Sequence, residues 1–169
     1  MAYAYEYGRQ NFFAVWSFGE IGAGIINSNI DFNAKLFDLF LQHKLSSFGL
    51  EIIPVEYNYS KFYDGHIVSF LNTKLYLSSM TEYSQGYYSI ASPFISIRAL
   101  NIPNFYSYNY VIDAGFKFAM YFVESGGMVW NFFAIETGYK YFKQDRKHAF
   151  FINISTGIPL LFPLGPFLF

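Results

Sequence analysis

The chain has 169 residues, enough for one domain with a sizeable core, and it carries a net charge of −1 and no cysteine. Near-neutral charge speaks against a nucleic-acid partner, which needs a concentrated basic surface, and the missing cysteines exclude disulfides, thiolate metal sites and a cysteine nucleophile. Charged residues are only 14% of the chain, against about 25% in soluble domains, while aromatic residues reach 24%, a composition that water tolerates badly and lipid tolerates well.

Taken in chain order, residues 1–7 lack the basic-then-apolar pattern of a signal peptide, so an exported protein is expected here in its mature form. Eight runs rich in β-branched and aromatic residues follow, at about 11–27, 30–42, 48–59, 66–78, 87–99, 109–122, 131–143 and 148–162. Short polar or glycine-containing breaks separate them, and no repeat beyond this spacing stands out. Residues 149–169 are uncharged for long enough to span a bilayer as a helix, but Pro159, Pro163 and Pro166 would break it repeatedly.

The periodicity is two. In the sixth run Tyr110, Ile112, Ala114, Phe116, Phe118, Met120 and Phe122 share one face, opposite Asp113, Gly115 and Lys117. In the seventh, Phe133, Ile135, Thr137, Tyr139 and Tyr141 oppose Glu136, Gly138 and Lys140. In the eighth, Phe150, Ile152, Ile154, Ile158 and Leu160 oppose Asn153, Ser155 and Gly157. The first run carries Phe13, Val15, Ile21, Ala23 and Ile25 on one face, though Trp16 and Phe18 then fall with Glu20 unless a bulge intervenes. The non-apolar face is too poor in charge to be a solvated exterior, and it suits a narrow lumen. The expected fold is therefore all-β: a closed, antiparallel, up-and-down eight-stranded transmembrane barrel, apolar outside and polar inside.

Turning the polar face of each run inward places Glu20, Asp38, Glu51, Lys74, Arg98, Asp113, Lys117, Glu136 and Lys140 in the lumen. Hairpins centred near residues 62–63, 105–106 and 126 set Glu51 opposite Lys74, Arg98 opposite Asp113 and Lys117 opposite Glu136, the pairing that buried charges require. The plain reading is a salt-bridge network filling the bore, since eight strands leave barely enough width for side chains; the sharper one is a narrow path for ions or small solutes. Tyr57, Tyr59, Tyr76, Tyr110, Tyr121, Tyr139 and Tyr141, with Trp16 and Trp130, lie near strand ends and are expected in interfacial girdles. His66 and His148 fall at one rim, near Asp64, Ser69 and Asp145. They are the candidates for a catalytic base, although no catalytic spacing accompanies them. With three histidines in the chain, a His-rich metal site is not expected, and neither is a cofactor.

Ser155-Thr156-Gly157-Ile158-Pro159-Leu160-Leu161-Phe162 matches the polar-x-Gly-x-x-apolar-x-aromatic pattern of the last strand of outer-membrane barrels, and the chain ends in a second candidate, Phe169. With eight strands and this ending, the chain resembles the small OmpA/OmpX-type outer-membrane barrels. The resemblance implies a bacterial outer-membrane location and a monomer whose partners are the membrane lipid and the barrel assembly machinery. It makes Gly157, Leu160 and Phe162 or Phe169 the assembly signal, and it puts the turns near 28–29, 60–65, 100–108 and 144–147 outside the cell. Four activities fit this frame. They are an envelope-integrity or surface-contact barrel without catalysis, a narrow channel, a lipid A acyltransferase or deacylase using His66 or His148, and a soluble lipocalin-like lipid carrier.

Overall fold

Alternating apolar and polar residues leave each strand one face to bury and one to expose, and the described strands pair so that no long strand has an open side. The computed structural model describes residues 3–6, 12–43, 47–63, 65–102, 110–123, 129–143 and 146–157. Its strands are β1 (Tyr3–Glu6), β2 (Phe12–Ile26), β3 (Asn29–His43), β4 (Gly49–Ser60), β5 (Gly65–Tyr76), β6 (Thr81–Ser84), β7 (Tyr87–Ile102), β8 (Val111–Val123), β9 (Val129–Phe142) and β10 (Lys147–Gly157). Eight of these are long. Each pairs antiparallel with its predecessor, and β10 pairs with β2 from Phe151↔Ile26 to Gly157↔Glu20, closing an up-and-down barrel. Among the described residues no helix is long and apolar enough to cross a membrane.

The eight long strands start and stop within three residues of the expected runs, except that 158–162 lies outside the described residues. Two short strands were not expected. β1 lies along β2 at Phe13–Trp16, beyond the stretch that β10 covers, and β6 folds onto β7 through a turn where Gly86 has φ +77°. The β2–β3 turn is the tight two-residue kind, with Asn27 and Ser28 both at positive φ, a conformation asparagine tolerates. The Asn27 side chain also spans the closing seam: Phe150 N–H donates to its Oδ1 at 2.8 Å, and its Nδ2 donates to the His148 carbonyl at 3.0 Å.

Side chains divide sharply between the two faces. On β10, Phe150, Ile152 and Ile154 are exposed while Phe151, Asn153 and Ser155 are buried. The alternation is not unbroken everywhere. On β3, Lys35 and Asp38 are both buried with Leu36 exposed between them, where the β3–β4 register shifts. On β4 the buried set passes from Ile53 to Glu56 across Pro54, which has no N–H to give a ladder. On β5 it passes from Ser69 to Asn72 across Leu71, whose φ is +53°. A line of irregularities thus crosses three neighbouring strands and re-aims their ends. Between β8 and β9 the backbones approach so closely at Gly115 and Gly138 that a Cβ on either would press into the facing chain.

Candidate functional site

The lumen is built in layers. Its middle holds Glu20, Glu51 and Glu136 against Lys35, Lys74 and Lys117, all buried. Lys74 Nζ donates to both oxygens of Glu136, at 2.6 and 2.7 Å. Lys117 lies 3.3 Å from Glu51 and 3.5 Å from Glu136, and Lys35 lies 2.9 Å from Glu20 and 3.7 Å from Glu51. Neutral donors complete the carboxylates: Ser155 Oγ and Asn131 Nδ2 donate to Glu20, and the Tyr76 hydroxyl donates to Glu51. Three acids and three bases balance, which is what lets so many charges leave water together.

Nearer the β4–β5 and β9–β10 turns lies a second polar group. Arg98 Nη2 is 3.0 Å from Asp113 and 3.6 Å from Glu56, and Asn72 Nδ2 donates to Glu56 at 2.7 Å. Lys140 sits over the Phe151 ring, 4.6 Å from its centroid, and Asp31 is buried in the same half. Buried apolar side chains lie beyond both charged layers. Phe40, Tyr76 and Phe94 stack in series with centroids 5.9 Å apart, near Met80 and Ile90, toward one end. Ile26, Val111, Phe142 and Phe151 do so toward the other, where Phe62 lies 5.5 Å from Phe142.

All nine residues assigned to the lumen from sequence, namely Glu20, Asp38, Glu51, Lys74, Arg98, Asp113, Lys117, Glu136 and Lys140, are buried. Glu51 faces Lys74 and Lys117 faces Glu136 in register. Arg98 does not face Asp113: the register sets Ser96 there and Arg98 opposite Val111, because the hairpin is shifted by one residue on each strand, and Arg98 reaches Asp113 diagonally. Facing in register also does not settle the partner. Lys74 crosses the lumen to Glu136, and Glu51 is met by Lys117 and Lys35. Asp31, Lys35 and Glu56 are buried members that the sequence reading did not assign.

The tyrosines divide. Tyr57, Tyr59, Tyr110 and Tyr139 are exposed on the outer face and Tyr141 is half-buried. Tyr76 instead is fully buried in the lumen, and Tyr121 packs against the lumen's apolar cluster, so neither belongs to an outer girdle. The side chains of Trp16 and Trp130 lie outside those described.

His66 and His148 stand on the outer face, each beside two tyrosines. The Tyr57 hydroxyl meets His66 Nδ1 and the Tyr59 ring lies 5.0 Å from the imidazole. The Tyr139 hydroxyl meets His148 Nδ1 and the Tyr141 ring lies 4.9 Å away. Ser69 is buried on the opposite face of the sheet from His66, which keeps it from serving as that ring's nucleophile. Asp64 and Asp145 lie outside the described residues, as do Leu160, Phe162 and Phe169; Gly157 is the last residue of β10. Among the described residues no group of three His, Asp or Glu is placed to hold a metal.

The two clusters expose a repeat that the strand spacing conceals. Tyr57-x-Tyr59-x-Lys61-x4-His66 and Tyr139-x-Tyr141-x-Lys143-x4-His148 have the same spacing, on hairpins four long strands apart in a ring of eight. Compared with protein families, curated proteins and solved structures, the chain matches none.

Proposed function

We propose that the chain is an integral outer-membrane β-barrel with a structural, envelope-integrity role, and that salt bridges hold its lumen shut. The observation that carries the reading is inverted polarity. Among the described residues seven acidic and five basic side chains are buried, whereas Leu36, Phe132 and Phe150 stand 66–71% exposed on the outer wall. Such a wall drives association in water and is at home in hydrocarbon, and closure leaves no unpaired sheet edge, which lipid demands. The exposed Tyr57, Tyr59 and Tyr139 near one rim support placing that rim at headgroup depth. Assembly as a monomer by the outer-membrane barrel machinery follows from the same reading.

The apolar layers beyond both ends of the charge network favour a sealed lumen over an ion path. The test is to fold the purified chain in detergent and run it with and without heating. A heat-dependent mobility shift, with incorporation into phospholipid vesicles, is expected. A monodisperse, detergent-free monomer would overturn the membrane assignment and point to a soluble carrier.

A further inference from the structure

The outer wall carries an open groove of about 650 Å³ over β9, β10, β2, β3 and β4, among Ile21, Ala23, Phe32, Ala34, Tyr57 and Ile154, a volume within the ~300–1,000 Å³ of ligand sites. Its position in the repeat explains why it is there. In register, Ile21–Ala34–Tyr57 in one half of the barrel corresponds to Ile95–Ala114–Tyr139 in the other. The next row, Ala23–Phe32–Tyr59–His66, corresponds to Ile97–Ile112–Tyr141–His148. The two halves therefore present the same tyrosines and histidine and differ at two outer positions, where Ala23 and Phe32 in the first half stand for Ile97 and Ile112 in the second. Ala23 puts only a methyl between Phe32 and Ile154, where the opposite half puts the larger Ile97 between Ile112 and Thr73.

We propose that this groove is a specific site for one acyl chain of a membrane phospholipid, with the phosphate at His66. The inference rests on the membrane reading above. From Tyr57 to Phe133 the groove crosses four strand steps, about 19 Å at ~4.8 Å each. It also runs downhill: Tyr57 is three residues from the turn end of β4, whereas Phe133 is nine from the corresponding end of β9. At the tilt of barrel strands this path descends about 12 Å, close to the ~15 Å of hydrocarbon in one leaflet.

The two ends differ as the two ends of a lipid do. The floor and sides are aliphatic and aromatic, while the upper end is the Tyr57–His66 pair with exposed Lys61 four residues beyond Tyr57. In the tautomer whose Nδ1 accepts from the Tyr57 hydroxyl, Nε2 carries the proton and is the donor for a phosphate oxygen, and Lys61 supplies charge. A flat face of a second copy would not fill a concave groove, whereas a single flexible chain fills it and leaves its headgroup at the rim.

The test is native mass spectrometry of the detergent-folded protein after addition of phosphatidylglycerol. Wild type should retain one lipid at collision energies that strip the detergent. Ala23→Ile, which copies the opposite half, should lose that adduct. Ile97→Ala should gain a second, and His66→Ala should retain phosphatidylglycerol less well without losing its heat-shifted gel band. That band, checked for every variant, separates the two readings. Folded, heat-modifiable protein with no retained lipid, or with an adduct unchanged in Ala23→Ile, overturns the lipid site alone; a chain soluble without detergent overturns the membrane reading beneath it. Retention of added lipopolysaccharide but not phosphatidylglycerol also overturns the proposal as stated.

Discussion

Neutralising Glu136 tests whether the central layer behaves as one balanced set. Its carboxylate has Lys74 at 2.6 Å, Lys117 at 3.5 Å and Lys35 at 4.0 Å. At an effective dielectric of about 20 these attractions sum to roughly 15 kcal/mol, of which repulsion from Glu20 and Glu51 and the cost of desolvation remove most. What is left on deleting one partner is the penalty of a stranded buried charge, about 3–5 kcal/mol. Glu136→Gln should therefore lower the urea midpoint of the detergent-folded barrel by about 2 M, taking a slope of about 2 kcal/mol per M. Lys74→Met should cost a similar amount alone. The double variant restores neutrality, so it should regain most of the loss, with a coupling of at least about 2 kcal/mol. Strictly additive single effects, or a Glu136→Gln midpoint indistinguishable from wild type, would refute the balanced-layer account.

Three further outcomes follow from the same geometry. Tyr76→Phe keeps the ring between Phe40 and Phe94 but removes a donor from Glu51, and it should cost about 1–3 kcal/mol in the same urea experiment; unchanged stability would show that the hydroxyl contributes nothing to that carboxylate. Gly138→Val forces a side chain against the Ala114 carbonyl and Gly115 Cα, so β8 and β9 must part. A loss of about 3 kcal/mol or more and a much reduced heat-shifted band are expected, and a normal yield of folded barrel would contradict the close approach. Wild-type protein in planar bilayers should pass no steady current, because apolar layers lie beyond both ends of the charged lumen; regular unitary steps would refute the sealed bore.

Most of the architecture was legible because period-two alternation needs only local sequence, and β10 keeps it throughout while β8 and β9 keep it except where their register shifts at Met120 and Tyr121 and the buried set passes from Asn131 to Ala134. The nine assigned lumen charges follow from it. Lys35 and Glu56 escaped because parity switches at the irregular positions of β3 and β4, and only the fold shows that Leu36 and Pro54 are where it happens. Tyr76 is a different kind of miss: it sits two residues from Lys74, so the alternation that turns the lysine inward turns the tyrosine inward as well, and Tyr121 likewise follows Lys117 and Ala119. Nearness to a strand end was the weaker guide. Which acid meets which base was not legible, because contacts across the bore, such as Lys74 to Glu136, join strands that no hairpin connects. The Tyr-x-Tyr-x-Lys-x4-His repeat was present in the sequence, but four matching positions spread over ten residues gain meaning only when both hairpins are seen at one rim.

The seam between β2 and β10 has a consequence for how the chain comes to its final state. Its partners, from Phe151↔Ile26 to Gly157↔Glu20, are more than a hundred residues apart in sequence, so their pairing carries the largest loop-closure entropy in the molecule. Hairpins between neighbouring strands can form early and locally, while ring closure waits for the last strand. Until it arrives, the half-built sheet presents the lysines and glutamates of the central layer without their full set of counter-charges. The Asn27 side chain, which grips the backbone of β10 at Phe150 and His148, is placed as a latch on that closure: it holds the first turn to the last strand at the point where an open curved sheet becomes a ring.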